Sequence, residues 1–513
     1  MNRRGITDQI ADLVVPLLVA AVGMSGALRS AAWLTAALTG EPAPTAGLLD
    51  GAAALLADPA NPGTAWGTPI GPATYWVLTG LIISVAILIG VALWQLLRVR
   101  DPRRARDPHR LVGLPTSSQV ARTSGERVLV RRATTLRPSL AGQHNVRPEQ
   151  VGYRLGRVGR RPVWVSVEDS ITVLGPPRSG KGINIVIPMI VEAPGAVVTT
   201  SMFTDNIALT MAERARRGPV AVFAPSLGDE LPSAMRWSPI RGCEEPDTAQ
   251  LRATALGAGT GRGVENASFW QDKTIQALYP MLHAAAITTA STTDFDRWCS
   301  GPALAAEAVN ILRDNPRAVP GWADKLDEII TADPRTRDNM WAGVAQATRA
   351  LSNPTVLAAC SPAPIELFDI ERFLAESGAL YIVGDKKGFD GSIVAALIED
   401  LFATAMKIAN RSPGHRLDPP LLLALDEVAN IAYLPSLPTM VSAGGGRGVT
   451  TVNVLQSRAQ ARDRWGAAYS RSLEGDRQKV LVRFSVVIDL YQPDLLVMQV
   501  TPTARFRDQR HAR

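Results

Sequence analysis

The chain has 513 residues, 46% of them hydrophobic and 20% charged, and a mean hydropathy of +0.06. That length exceeds one compact core, and the apolar content lies between those of soluble enzymes and membrane proteins, so two or three units of mixed architecture are expected. The formal net charge is +7, with a pI near 9.5 and Arg dominating the basic residues. Such a surface either meets phosphate-rich partners or anionic lipid, or serves solubility and juxtamembrane anchoring alone. Cys243, Cys299 and Cys360 lie far apart with no C-x-x-C pair and no His cluster beside them. This argues against a disulfide framework or a zinc site and for small buried apolar residues.

Residues 75–97, YWVLTGLIISVAILIGVALWQLL, carry no charge and are long enough to span a bilayer core, with Trp76 and Trp94 placed as interfacial anchors. The earlier apolar segment at 11–38 is interrupted by Pro16, Gly23, Gly26 and Arg29. It reads as a first membrane helix, about 11–34, with an uncleaved signal-like segment or a re-entrant helix as the alternatives. Residues 40–74 contain no Lys or Arg, whereas RVRDPRRARDPHR follows the second span and Arg3 and Arg4 precede the first. The positive-inside rule therefore puts both termini and the remaining 400 or so residues in the cytoplasm, anchored to the cell membrane by a multi-pass segment.

Residues 111–170 read as a linker followed by the first strands of a sheet, with RVLVRR at 127–132 and PVWVSV at 162–167 as strand-like runs. The run SITVLG then enters GPPRSGKG, and INIVIPMI leaves it. A buried strand, a Gly-rich turn and a helix start form the context a phosphate-binding loop needs, because backbone N–H groups and the helix N-terminus must point at the phosphates. Gly175, Pro176, Pro177, Arg178, Ser179, Gly180, Lys181 and Gly182 make that candidate loop, with Lys181 reaching the β- and γ-phosphates. Gly182 stands where the usual motif has a Ser or Thr whose hydroxyl holds magnesium.

GAVVTTS at 195–201 and PVAVFAP at 219–225 are the next strands, and their alternation with helical stretches predicts a parallel α/β sheet with chemistry at the strand C-termini. NASFWQDKTIQALYPMLHAAAI at 266–287 has helical apolar spacing through Trp270, Ile275, Leu278, Met281 and Leu282. Phe269 and Trp270 either stack on nucleic-acid bases or, the plainer reading, are core aromatics. Further on, LLLAL has the composition of a central parallel strand and delivers Asp426 and Glu427 to its C-terminal end. In a nucleotide site Asp426 holds magnesium and Glu427 polarises the attacking water. A lone acid pair would instead read as an acidic helix N-terminus. VTTVNVLQS is another buried strand, whose Gln456 either senses the γ-phosphate or simply caps the strand end. Arg447, on the Gly-rich turn before that strand, is either an arginine sent into a neighbouring subunit's site or a solvated loop residue.

LGPPRSGKGINIVIP, GAVVTTSMFTDN, the WSPI and SFWQDK segments, and above all LALDEVANIAYLPSLPTMVSAGGGRGVTTVNVLQS together resemble the conjugative coupling proteins, the TraG/VirD4-type family of type IV secretion systems. The likeness spans roughly 155–466. Many members of that family look like GPxRSGKG, so Gly182 is implied to be a family trait, and Pro188 matches the "IP" after the loop. The resemblance implies a RecA-like P-loop NTPase domain behind N-terminal transmembrane helices, interrupted by a helical, all-alpha insertion. The resulting division is a membrane anchor at 1–110, a linker and first NTPase part at 111–240, the insertion at 241–370, and the second NTPase part with an atypical tail at 371–513.

The same resemblance implies an ATPase using ATP and Mg²⁺, assembled as a homo-hexamer and handling single-stranded DNA without sequence preference. Its implied partners are relaxase or relaxosome proteins and type IV secretion channel components. Where the family often shows Asp-Pro-Lys-Gly after the second strand, this chain has TTSMFTDN, with Asp205 the nearby acid and no clear role for it. Past Gly466 the family pattern is lost: 477–500 looks strand-rich, and TARFRDQRHAR is unfamiliar. Two other readings stand beside the coupling ATPase. One is an FtsK-like chromosome DNA translocase, against which the DEVANI segment and the helical insertion argue; the other is a non-catalytic docking receptor at a membrane channel, which the altered tail favours slightly.

Overall fold

The computed structural model describes residues 6–99, 122–158, 161–228, 235–260, 266–384, 390–472, 486–492 and 495–499. Side chains at 6–20, 94–99, 158, 161, 458, 467–468, 470–472, 486–492 and 495–499 lie outside the description. The chain divides into two compact units, Met1–Leu111 and Val112–Arg513.

In the first unit, a long helix Ile6–Thr39 is followed by short helices Leu48–Ala57 and Pro62–Trp66 and by a second long helix, Pro72–Val99. Among the described residues, Pro72–Leu93 is the one stretch long and apolar enough to cross a membrane, and within it only Tyr75 and Thr79 are buried. Val77, Leu81, Ile87, Leu88 and Leu93 all face outward, so its apolar surface has no protein cover, as suits a bilayer core. The first expected span falls within Ile6–Thr39, where described side chains begin at residue 21: Ala31, Ala32 and Ala36 are buried, whereas Val22, Met24, Trp33 and Leu38 are exposed.

Between the long helices the chain packs on Trp66, whose Nε1 donates to the Tyr75 hydroxyl at 3.1 Å. That hydroxyl donates in turn to the Leu28 carbonyl at 3.2 Å. Gly51 lets the ring in, since a Cβ there would lie 2.3 Å from Trp66. Of the expected anchors, Trp76 is partly exposed and donates to the Pro59 carbonyl at 3.0 Å, and the Trp94 side chain lies outside the described residues.

The second unit is α/β. Six strands run parallel in the order β3-β8-β7-β4-β6-β5: β3 (Ile171–Leu174), β4 (Val197–Ser201), β5 (Val220–Phe223), β6 (Ala379–Val383), β7 (Leu421–Leu425) and β8 (Val449–Leu455). Every residue of β3, β4, β6, β7 and β8 is buried, which explains their unbroken runs of apolar and β-branched residues: both faces are covered. β9 (Val486–Gln492) adds parallel to β3, and β10 (Leu495–Gln499) pairs antiparallel with β9, so the strand-rich reading of 477–500 holds for these two segments. The tail TARFRDQRHAR lies outside the described residues.

An antiparallel hairpin, β1 (Gly152–Val158) with β2 (Arg161–Ser166), forms its own small sheet and packs in one core with one face of the large one. RVLVRR differs from the sequence expectation. It is a helix, Glu126–Arg131, with Leu129 its one buried residue. Among the described residues no strand pairs with it, and an acid in the first turn with a base in the last suits a helix dipole.

Helices cross between successive strands, and the longest crossover, from β5 to β6, is a helical bundle. Its centre is helix Ala267–Thr288, buried continuously from Ala277 to Ile287. Trp270 is half-buried against the core, but Phe269 is 47% exposed and is not the core aromatic expected. Arg252 ties the bundle to helix Gly391–Arg411: it pairs with Asp400 at 2.9 Å, donates to the Ser238 and Pro239 carbonyls and lies over the Trp237 ring. Trp237 Nε1 donates to the same Asp400, so the charge of a guanidinium that is almost fully buried is paired, although its Nε has no hydrogen-bond partner. The three cysteines are free and buried, and burial pushes the Cys243 and Cys360 thiols up to about 12, as inert apolar fillers require.

Candidate nucleotide site

β3, β8 and β7 are neighbours, so the segments leaving their C-terminal ends meet. Gly175 leaves β3 with its N–H on the Leu455 carbonyl, the last residue of β8, at 3.1 Å. From there Pro177, Arg178, Ser179, Gly180, Lys181 and Gly182 line an open cleft of about 640 Å³. Its opposite wall is Asp426, Glu427 and Asn430 after β7, Gln456 after β8, and Met202 and Phe203 after β4. This volume suits a ligand of nucleotide size.

The loop is held by its own atoms. Lys181 Nζ donates to the carbonyls of Gly175 and Pro176, each at 2.7 Å, and Ser179 Oγ donates to the Pro176 carbonyl at 2.8 Å. Arg178 and Gly180 both have left-handed backbones, and a Cβ on Gly180 would meet the Asn184 amide at 2.5 Å. Burial lowers the Lys181 pKa, opposed by the nearby Asp426 and Glu427 carboxylates. A phosphate could draw the Lys181 side chain away from two neutral carbonyls.

Beyond the loop the helix begins with a wide, five-residue π-type turn, Gly182–Val186, before regular winding resumes at Ile187–Glu192. Pro188 therefore stands in the first turn of the regular segment, where its missing N–H costs little. At Gly182 nothing lies within 4 Å of where a Cβ would be. The position is open to a side chain that the sequence does not supply.

On the facing wall, Thr200 Oγ1 donates to the Asp426 carbonyl at 2.7 Å, fixing the acid turn to the end of β4. Burial, then the Glu427 charge, pushes the Asp426 carboxyl up to about 6, with Lys181 acting in the other direction. Glu427 has a left-handed backbone, φ 52°, an arrangement costing about 1–3 kcal/mol in a non-glycine residue. Its Oε2 is buried with no hydrogen-bond partner in the described structure. A crowded acid pair with one orphaned oxygen beside an ammonium is the donor set a magnesium–phosphate group would complete: one carboxylate, phosphate oxygens and waters. Among the described residues no cluster of three or more His, Cys, Asp or Glu could hold a metal unaided.

Gln456 reaches the cleft from the end of β8. Asn430 and Gln460, which the sequence reading did not single out, join the two walls: Gln460 Nε2 donates to Asn430 Oδ1 at 2.8 Å, and Gln460 Oε1 accepts from the Gln456 N–H at 3.0 Å. A polar residue at i+3 from an acid pair was the only signal for Asn430. Nothing in the sequence marked Gln460.

Arg447 lies elsewhere. It precedes β8, at the N-terminal end of the strand whose other end carries Gln456, and donates to the His415 carbonyl at 3.2 Å. Seven strand residues separate the two ends, roughly 23 Å at 3.3 Å each. Asp205 opens helix Asp205–Arg214, exposed, and is not part of the cleft wall.

Residues 420–481 match the family model described as "TraM recognition site of TraD and TraG". No curated protein matches the chain. Among solved structures, a bacterial conjugative coupling protein, TrwBdeltaN70, in its unbound monoclinic form is similar at 16% identity, over 61% of this chain and 68% of that chain, with a TM-score of 0.46. The plasmid coupling protein TrwB in complex with the non-hydrolysable ATP analogue ADPNP is similar at 18% identity, over 60% and 68%, with a TM-score of 0.45. The same protein in complex with ADP and Mg²⁺ is similar at 17% identity, over 60% and 68%, with a TM-score of 0.43. Residues 420–481, the segment that supplies Asp426, Glu427, Asn430, Gln456 and Gln460, are thus similar to the matching segment of the TraG/TraD coupling proteins.

Proposed function

We propose that this protein is a membrane-anchored P-loop ATPase that couples a DNA–protein substrate to a type IV secretion channel and drives conjugative DNA transfer. The observation carrying this reading is the meeting of the Lys181 loop, the Asp426–Glu427 pair and Gln456 in one cleft at three adjacent strand ends. Backbone N–H groups of 175–182 and Lys181 take the phosphates of ATP. Asp426 would hold Mg²⁺, which would supply neutralisation of phosphate charge. Glu427 takes a proton from the attacking water as its oxygen bonds the γ-phosphorus and the bond to the ADP oxygen breaks. Gln456 positions the γ-phosphoryl group. Arg447, far from its own subunit's cleft, is assigned to a neighbour's site in a homo-hexamer.

The helix Pro72–Leu93 together with Ile6–Thr39 makes a multi-pass anchor in the cell membrane, and the Arg-rich segments flanking the pair put the second unit in the cytoplasm. The family description adds a TraM-like relaxosome protein to the partners, beside relaxase, channel components and single-stranded DNA gripped without sequence preference. An insertion at 241–370 between NTPase parts at 111–240 and 371–513 completes the assignment and favours a coupling protein over an FtsK-like translocase.

The test is ATP hydrolysis by the full chain purified in detergent, with and without single-stranded DNA. DNA-stimulated turnover is expected, reduced about 10²-fold or more by Lys181→Ala and by Glu427→Gln. A wild-type protein that binds DNA but never turns over nucleotide is a docking receptor, and the motor reading falls.

A further inference from the structure

The Gln460 amide settles the orientation of a second amide. Its Oε1 faces the Gln456 backbone N–H, a donor only, so its Nε2 must be the atom that faces Asn430. Nε2 is a donor only, so the Asn430 atom it meets is Oδ1, and Asn430 is left with its Nδ2 amide as the free end on the cleft wall. Gln460 is itself pinned, its N–H donating to Ser457 Oγ at 3.2 Å. The helix carrying it is fixed further along, where Trp465 Nε1 donates to the Leu434 carbonyl at 2.8 Å. One backbone N–H thus dictates, through two side chains, that a donor and not an acceptor stands one turn beyond Glu427.

We propose that Asn430 is a further catalytic residue, its Nδ2 donating to a γ-phosphoryl oxygen, and that Gln460 is the positioning residue that holds it so. The proposal deepens the ATPase reading and rests on it. A donor at that place meets charge that builds on the phosphoryl oxygens during transfer, so it acts on the rate more than on ground-state binding. Gln460 does the same at one remove: without it the Asn430 amide can rotate, and half its orientations put an acceptor against phosphate.

The experiment compares steady-state ATP hydrolysis by the full chain in detergent for wild type, Lys181→Ala, Gln460→Met, Asn430→Asp, Asn430→Ala and Gln460→Met/Asn430→Ala. Asn430→Asp and Gln460→Met are expected to lower kcat about 10- to 100-fold with KM for ATP within about threefold of wild type. The double variant should fall no further than Asn430→Ala alone, because both act through one contact. A merely structural Gln460 would instead lower the melting temperature, leave kcat of the folded fraction intact and add its effect to that of Asn430. Unchanged kcat in Asn430→Asp, or additive losses in the double variant, overturns the proposal while Lys181→Ala still reports an ATPase. If Gln460→Met fails to fold, Asn430→Asp decides alone. A wild type without hydrolysis overturns this proposal together with the reading beneath it.

Discussion

The two ends of the same sheet are built on opposite principles. At the N-terminal ends of β7 and β8 the charged groups are paired, although Arg416 Nε is buried without a hydrogen-bond partner. Arg137 pairs with Asp418 at 2.8 Å and donates to the Gln150 carbonyl, the Ser139 N–H takes the second Asp418 oxygen, and Arg416 pairs with Glu168 at 2.5 Å while reaching the Gly445 carbonyl. Gly445 lies so close to the Glu168 backbone that a Cβ would sit 1.8 Å from its carbonyl oxygen. At the C-terminal ends, Glu427 has an orphaned oxygen, Lys181 is parked on its own loop, and Ile183 and Phe203 are exposed. One end spends its polar groups on holding the fold, and the other keeps them for a ligand.

Substitutions at the two ends should therefore separate cleanly. Lys181→Ala is expected to remove about 10²-fold or more of the ATPase rate while leaving the melting temperature within a few degrees, by turnover and calorimetry. At the other end, Gly445→Ala should cost about 3 kcal/mol or block folding outright, because the Cβ meets backbone and not a mobile side chain. Arg137→Ala leaves the Asp418 carboxylate half-buried with only the Ser139 N–H, and chemical denaturation should show a loss of about 2 kcal/mol.

Gly182→Ser tests the open site: stability should change by less than about 0.5 kcal/mol, while half-maximal activity is reached at lower Mg²⁺ concentration because a hydroxyl now faces the metal. The smallest effect is at Glu399, whose carboxyl is pushed up by burial despite the Ser436 N–H donated to it. A raised folded-state pKa gives stability at low pH that is lost as pH rises through that value. Glu399→Gln keeps the acceptor without the charge, so its melting temperature should exceed wild type more at pH 8 than at pH 5.

The sheet was legible because central parallel strands need apolar runs, and SITVLG, GAVVTTS, LLLAL and VTTVNVLQS are such runs with punctuation at both ends. The cleft was legible where side-chain type and strand end coincide, as at Lys181, Asp426, Glu427 and Gln456. RVLVRR misled because alternation alone does not make a strand when no neighbour offers a ladder. Phe269 misled because helical spacing assigns a face only to within a turn, and its neighbour Trp270 took the inward place. Asn430 and Gln460 were invisible because their contact joins two segments thirty residues apart through amides of no distinctive spacing. The N-terminal end was equally hidden: Asp418 and Arg137 are 281 positions apart.

The five-residue turn at Gly182–Val186 gives the nucleotide loop slack. A regular α-helical turn would use fewer residues, and passing between the two windings rotates what lies on one side by about 100° relative to the other. Gly182 can follow such a rotation with no side chain to clear, and Pro188, which donates no hydrogen bond, marks where the winding resumes. The loop can thus be turned like a key against a sheet that stays still.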